Sequence, residues 1–111
     1  MNREIKFRAW DGAMRYSEWY GLAQFFHMCR EDELMQYTSL KDKKGRDIYE
    51  GDILTRGLGM SWKVYFCKNE GSFKAKPRDG EEGVFYGDEF KHLQVIGNIF
   101  ENKELIEKIK R

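Results

Sequence analysis

The sequence predicts a small, mainly β domain, a barrel or sandwich of short strands followed by one short terminal helix. Three observations predict this fold class. The 111 residues are the size of one domain. Short runs of residues alternate between apolar and polar side chains with a period of two, as half-buried strands do. The chain contains 11 glycines and 1 proline, and glycines supply the tight turns that short strands require.

The N-terminal part opens with a strand over residues 4–10, in which apolar side chains stand at every second position. Asp11 and Gly12 form a strong two-residue hairpin signal, so we expect the chain to return through Met14 and Tyr16. Residues 18–29 fit the spacing of a helix but also contain aromatic residues that favour strands. We favour a strand or irregular segment there.

Further strands and turns are expected along the rest of the chain. Gly45 and Gly51 can take positive φ at low cost, and Gly51 stands between two acids, where we expect it to redirect the chain. Asn102 can cap a helix over residues 103–111 by accepting a backbone N–H bond. The expected strands cover residues 35–37, 48–49, 53–55, 61–67, 73–75, 84–86 and 93–100, and a turn at 69–71 makes 61–75 a hairpin.

The alternation within these strands also predicts which side chains form the core. If it holds, truncating Phe66 to Ala costs about 3–5 kcal/mol, as is typical of a buried aromatic residue. The residues expected in the core are Ile5, Phe7, Val64, Phe66, Val95, Ile96 and Ile99.

Composition narrows the class of function and the compartment. The formal net charge is +1, so the overall basic excess typical of a dedicated nucleic-acid binder is absent. Cys29 and Cys67 are too few for a disulfide-stapled secreted domain and are expected to be reduced thiols. The first residues lack the apolar core of a signal peptide, and no stretch approaches the roughly 20 apolar residues that span a bilayer. We therefore expect a cytoplasmic protein without a membrane partner.

Three segments resemble the YopX family of phage and prophage proteins, in the family's order. They are REIKFRAWD at 3–11, with Met14 after it, MQYTSLKDKKGRDIYEGDI at 35–53 and VIGNIFEN at 95–102. Two departures are visible: Ser39 stands where glycine is expected, and Lys103 stands where proline is common.

The resemblance implies one domain over 1–111 that works in a bacterial cytoplasm. It implies an N-terminal part of strands or irregular structure over 1–40 and an SH3-type barrel-like part over 41–102, before the short helix expected over 103–111. It implies no activity, because the family's signature residues have no assigned catalytic roles. No cofactor is expected.

Metal and acid–base chemistry have few candidate residues. His27, Cys29, Cys67 and His92 are the possible zinc ligands, but structural zinc sites usually bring four ligands together as close pairs, and we expect no metal. Paired carboxylates can hold Mg²⁺ or act as acid and base. At the bends around Gly45 and Gly51, however, we favour structural roles for the acids in turns. These acids are Asp42, Asp47, Glu50 and Asp52.

A basic stretch over residues 63–78 offers a different kind of site. Small barrels bind single strands by stacking bases on aromatic rings and neutralising phosphates. The predicted hairpin places Lys63, Tyr65, Lys74 and Lys76 on its polar side. An acidic stretch over 79–90 can cancel this charge, so we expect at most weak, salt-sensitive binding of single-stranded nucleic acid.

These observations favour a non-enzymatic binding or assembly module, a phage accessory protein that contacts an unidentified protein partner or a second copy of itself. One alternative is a nucleic-acid-binding accessory factor that uses the basic stretch. Another is a metal-dependent enzyme that uses the acids at 42–52. A large exposed apolar patch would favour protein contacts, and a continuous basic face would favour nucleic acid.

Overall fold

The chain folds into two antiparallel sheets, one of them a half-barrel. The computed structural model describes residues 4–30, 33–57, 60–77 and 84–102. The first sheet has the strand order β2-β1-β3-β4 and the second has the order β8-β7-β6-β5-β9. The strands are β1 Phe7–Trp10, β2 Met14–Tyr16, β3 Leu34–Lys41, β4 Asp47–Tyr49, β5 Asp52–Thr55, β6 Trp62–Cys67, β7 Ser72–Pro77, β8 Phe85–Tyr86 and β9 Gln94–Asn98.

The mainly β fold is therefore confirmed, and with it the two predicted hairpins. β1 pairs with β2 across the turn at Gly12, and β6 pairs with β7 across the turn at 68–71. Three helical segments lie wholly within the described residues: α1 Leu22–Met28 and two 3₁₀ helices, Ser17–Trp19 and Gly87–His92. The expected helix over 103–111 lies outside the described residues. None of the described helices is long and apolar enough to cross a membrane.

Helix α1 shows that the expectation of a strand or irregular segment over 18–29 is wrong. The segment forms a helix because the helical spacing brings its aromatic side chains against the rest of the domain. Phe25 is fully buried and stacks on Tyr20, with ring centroids 6.1 Å apart. Phe26 packs edge-on against Phe7 of β1 at 4.9 Å.

Gly51 joins the two sheets, as the sequence predicted for a bend at this position. Its φ is +88°, a left-handed conformation that glycine adopts without the steric cost of a Cβ. Its N–H donates to the Val64 carbonyl, and its own carbonyl accepts from the Ile99 N–H, each at 3.0 Å. A Cβ at this position would lie 3.1 Å from the sulfur of Met35. The turn thus ties β4, β5, β6 and the segment after β9 together.

The main core lies on one face of the second sheet and is covered by the 3₁₀ helix Gly87–His92. That helix inserts Phe90, which is fully buried, between the strands. The residues of this core are Ile48, Leu54, Trp62, Val64, Phe73, Ala75, Phe90, Leu93 and Val95.

The predicted core list is right only in part. Val64 and Val95 are buried, and Phe7 and Ile99 are half-buried. Ile5, Phe66 and Ile96 are 60%, 40% and 38% exposed, so their assignment to the core is wrong. Phe66 lies at the hairpin end of β6, beyond the reach of the covering layer. Ile96 lies on the edge strand β9, where the register with β5 shifts and alternation no longer holds.

Ser39 adopts a left-handed backbone conformation with φ of +70°. The register of β3 with β4 shifts between Tyr37 and Lys41, so Ser39 lies within a bulge. Glycine suits such a position because a Cβ in the left-handed region costs roughly 1–2 kcal/mol. This geometry explains why the family pattern leads one to expect glycine at this position.

Replacing Ser39 with glycine is therefore expected to stabilise the domain by about 1 kcal/mol, after loss of the exposed bond that the Ser39 hydroxyl donates to the Glu4 carbonyl. Urea denaturation monitored by tryptophan fluorescence measures the change. Ser39→Ala is the matched control: it removes the same bond but keeps the Cβ. A glycine variant no more stable than the alanine variant would contradict the account.

Candidate functional site

A cleft of about 360 Å³ opens between the two sheets, and we name it the inter-sheet cleft. Residues from all three segments that carry the family resemblance meet there: Arg8 from the first, Tyr49 and Asp52 from the second, and Asn98 from the third. Its lining residues are Arg8, Tyr16, Glu18, Arg46, Asp47, Tyr49, Asp52, Val95, Gly97, Asn98 and Glu101.

A buried ion pair between Arg8 and Asp52 forms the floor of this cleft. Arg8 Nη2 donates to Asp52 Oδ1 at 2.6 Å, and the two side chains are 6% and 2% exposed. The guanidinium also lies 4.6 Å from the ring centroid of Tyr49, while Arg8 Nε has no hydrogen-bond partner within the described residues. Because Arg8 lies on β1 and Asp52 on β5, the pair holds the two sheets together.

The burial of side chains in the inter-sheet cleft shifts the pKa values of Asp52 and Tyr49. Burial raises the pKa of the Asp52 carboxyl, against the opposing pull of Arg8 and of the Tyr49 amide that donates to Asp52 Oδ2 at 2.7 Å. Burial, with the Glu18 and Asp47 charges nearby, also raises the pKa of the Tyr49 phenol. The raised pKa keeps the Tyr49 phenol in its protonated form well above neutral pH.

Asp47 and Glu50, two further acids of the 42–52 stretch, also accept hydrogen bonds within the domain. Asp47 accepts from Lys6 Nζ at 2.6 Å and from Lys41 Nζ at 2.5 Å. Glu50 accepts a long bond from the Gln36 amide at 3.4 Å. The structure brings Asp47 and Asp52 into one cleft, but each carboxylate there already has its own cationic partner.

Asp42 organises the β3–β4 turn and the edge of β9. Its Oδ1 accepts the amides of Lys44 and Arg46, and its Oδ2 accepts that of Val95, all at 2.9 Å. Burial acts to raise the pKa of Asp42, but the bonds from Val95, Arg46 and Lys44 outweigh it and hold the pKa below its ordinary value. The charge of Asp42 thus serves to fasten the edge strand β9.

Because the pKa of Asp42 is lower in the folded chain than in the unfolded one, its contribution to stability is complete above about pH 4 and is lost as the pH falls further. Asp42→Asn replaces Oδ2 with a donor that cannot accept from Val95. We expect this substitution to lower the free energy of unfolding by about 1–3 kcal/mol at pH 7. Between pH 4 and pH 2 the variant should lose less stability than the unaltered protein. Urea midpoints across this pH range measure both, with the exposed Asp88→Asn as control. An unchanged acid limb would contradict the role of Asp42.

The possible zinc ligands are not brought together. His27 is exposed on α1, and His92 is exposed at the end of the second 3₁₀ helix. Cys29 and Cys67 are half-buried free thiols, and burial raises the pKa of Cys29. Among the residues described, no three His, Cys, Asp or Glu side chains are placed to hold one metal ion.

The predicted basic residues do share one face of the second sheet. Lys63 lies directly opposite Lys76, and Tyr65 lies opposite Lys74, which in turn pairs with Tyr86 of β8. These five residues form what we call the lysine–tyrosine face. Lys76 Nζ lies 4.6 Å from the ring centroid of Tyr65, and Lys74 Nζ lies 4.9 Å from that of Tyr86. The placement on one side of the hairpin is as predicted.

The charge of this face is weaker than the sequence suggested. Lys74 is only 7% exposed and is ion-paired with Glu70, so it contributes little field to solvent. Lys63 and Lys76 are the half-buried lysines of this face. The acidic residues Asp79, Glu81 and Glu82, which were expected to oppose the lysines, lie outside the described residues.

A second cleft, of about 210 Å³, adjoins the lysine–tyrosine face. We name it the Tyr65 cleft. Lys63 and Tyr65 belong to both features. The other lining residues are Leu34, Met35, Glu50, Gly51, Val64, Ile99 and Phe100. Phe100 itself stacks on Trp10, with centroids 6.1 Å apart.

Large apolar side chains also stand exposed on residues 19–28, which we name the apolar segment. Trp19 is 62% exposed, Leu22 39%, Phe26 44% and Met28 46%. Four such side chains within ten residues form a concentration that scattered single exposures do not explain.

Three functional candidates escaped the reading of the sequence. Arg8 was only one position of the predicted strand over residues 4–10, Tyr86 was part of a short strand and Phe100 was the end of one. Only their place in the family-like segments could have marked Arg8 and Phe100, and nothing in the sequence marks Tyr86.

The fold is that of a small β protein with two sheets. Its candidate sites are the inter-sheet cleft, the Tyr65 cleft, the lysine–tyrosine face and the apolar segment. The sequence profile described as YopX protein matches residues 16–107, and the chain belongs to the YopX family. A crystal structure of protein EF1440 from Enterococcus faecalis is similar, with a TM-score of 0.54 and 24% identity, over 93% of this chain and 75% of that one. That likeness shows the fold. No curated protein matches the chain.

Proposed function

We propose that this chain is a non-enzymatic assembly module that associates with a second copy of itself through the apolar segment. The observation that carries the proposal is the exposure of Trp19, Leu22, Phe26 and Met28 within ten residues. Exposed apolar surface of this kind marks protein interfaces. An unidentified protein partner is the alternative occupant of the same segment.

The near-neutral charge supports self-association. A net charge of +1 gives two copies almost no long-range repulsion to overcome. The bonding of the acids supports a role without catalysis, since a general base or a metal ligand must be available to a reactant. Asp42, Asp47 and Asp52 are instead held by four backbone amides, two lysines and one arginine.

The wider setting is part of the same proposal. The family resemblance suggests a phage or prophage accessory protein working in a bacterial cytoplasm. We propose that residues 41–102 correspond to an SH3-type barrel, whose loops and edges commonly contact partners. The N-terminal strands and α1 then add the apolar segment to that scaffold.

Light scattering coupled to size-exclusion chromatography tests the proposal. The expected mass rises above the 13.3 kDa of one chain as the protein concentration increases. Met28→Ser should reduce this rise, whereas Met60→Ser should not, because Met60 is equally exposed at 46% but lies outside the segment. A constant monomer mass, or equal effects of the two variants, would rule out self-association through this segment.

A further inference from the structure

We infer that the Tyr65 cleft and the lysine–tyrosine face together form a binding site for single-stranded nucleic acid, in which the cleft receives a base. This inference goes beyond the assembly role and uses a different surface of the domain. The sequence indicated only a basic stretch, whereas the structure adds an apolar cleft beside it.

The cleft has the composition that a base requires. Most of its lining residues are apolar or aromatic, including Met35, Ile99 and Phe100, and Tyr65 belongs both to the cleft and to the sheet face. Every base has a π-face, so stacking on aromatic rings binds single strands with little sequence preference. Glu50 also lines the cleft, and its carboxylate can accept a hydrogen bond from an N–H of a base, such as N3–H of thymine.

The neighbouring charges match a phosphate backbone. Lys63 lies at the cleft, and its cross-strand partner Lys76 carries its ammonium 4.6 Å from the Tyr65 ring. The two lysines and the aromatic ring thus stand side by side, which places a phosphate next to a stacked base. Lys74 is excluded from this role because Glu70 neutralises it and only 7% of it is exposed.

The Lys76 ammonium sets the expected strength and salt dependence. Such binding falls in the nonspecific range, with a Kd of about 10⁻⁴–10⁻⁶ M. For single strands each neutralised phosphate adds about −0.7 to the slope of log K against log salt, so one contact predicts a slope of roughly −0.7.

Fluorescence anisotropy with a labelled oligothymidylate, between about 20 and 200 mM salt, tests the site. Tyr65→Leu keeps the apolar bulk but removes the ring, and it should weaken binding at least about fivefold. Lys76→Gln should reduce the slope by about 0.7, whereas Lys43→Gln, at an exposed position of the β3–β4 turn, should leave it unchanged. An oligonucleotide of equal length with abasic sites should bind at least about fivefold more weakly than the intact strand.

Nuclear magnetic resonance of the unaltered protein provides the readout if a variant fails to fold. Titration with the oligothymidylate should shift the methyl signals of Met35 and Ile99, which line the cleft, more than that of Met28 on the apolar segment. Absence of binding overturns the inference. Binding that ignores the bases, Tyr65 and the cleft methyl groups also overturns it, since it would be electrostatic attraction alone. Neither result bears on self-association, which is measured separately.

Discussion

Replacing Asp52 with alanine is expected to lower the free energy of unfolding by about 3–5 kcal/mol. The change leaves the Arg8 guanidinium, only 6% exposed, without a counter-ion in a site that water barely reaches. It also removes the acceptor of the Tyr49 amide, bonded at 2.7 Å. An unpaired buried charge costs far more than the pair itself contributes. Urea denaturation at pH 7 measures the loss.

A double-mutant cycle separates the ion pair from the other bonds of Asp52. Asp52→Asn keeps an acceptor for the Tyr49 amide, and Arg8→Met keeps the apolar stem of the arginine. The double variant should lose less stability than the sum of the two single variants, by about 0.5–3 kcal/mol. The Arg15–Asp11 pair at 2.8 Å is the control, because both side chains are more than 40% exposed and its removal should change little. Strict additivity at Arg8 and Asp52 would contradict a coupled pair.

The Arg8–Asp52 pair also shows a feature that the sequence pattern could not predict, the burial of charged side chains near the N-terminus. Residues 4–10 alternate between polar and apolar, and the usual inference puts the polar side in water. In the structure Lys6 and Arg8 are buried and Ile5 is 60% exposed. Lys6 and Arg8 face inward because Asp47 and Asp52, some forty residues later, supply partners for them. A local pattern cannot reveal partners that distant parts of the chain provide.

Turns and hairpins were predicted correctly, because they depend on a few residues that are neighbours in the sequence. Gly12 and Gly51 both take positive φ at predicted bends, because only glycine does so without a Cβ penalty. The hairpin of β6 and β7 and its polar side followed from alternation and a turn signal. Helix α1 was missed because strand propensity was weighed above spacing. The clefts were out of reach, since each is lined by residues that lie more than forty positions apart in the sequence.

Trp62 and Phe66 provide the other large expected effect, and a direct test of how far alternation extends along β6. Alternation puts both on the same face of this strand as the buried Val64, and Phe66 was expected in the core. Trp62 is 2% exposed and packs edge-on against Phe85 at 4.8 Å. Phe66 is 40% exposed and retains a contact with Phe73 at 5.1 Å.

We therefore expect Trp62→Ala to cost about 3–5 kcal/mol, since it opens a cavity in the main core. Phe66→Ala should cost about 1 kcal/mol, because its ring loses one aromatic contact and little burial. Urea unfolding followed by far-ultraviolet circular dichroism compares the two without relying on the deleted tryptophan. Equal losses would mean that Phe66 is covered in solution, most simply by a second copy of the chain. Repeating the denaturation at two protein concentrations then tests whether a second copy covers Phe66, because only an association between copies makes the unfolding midpoint depend on concentration.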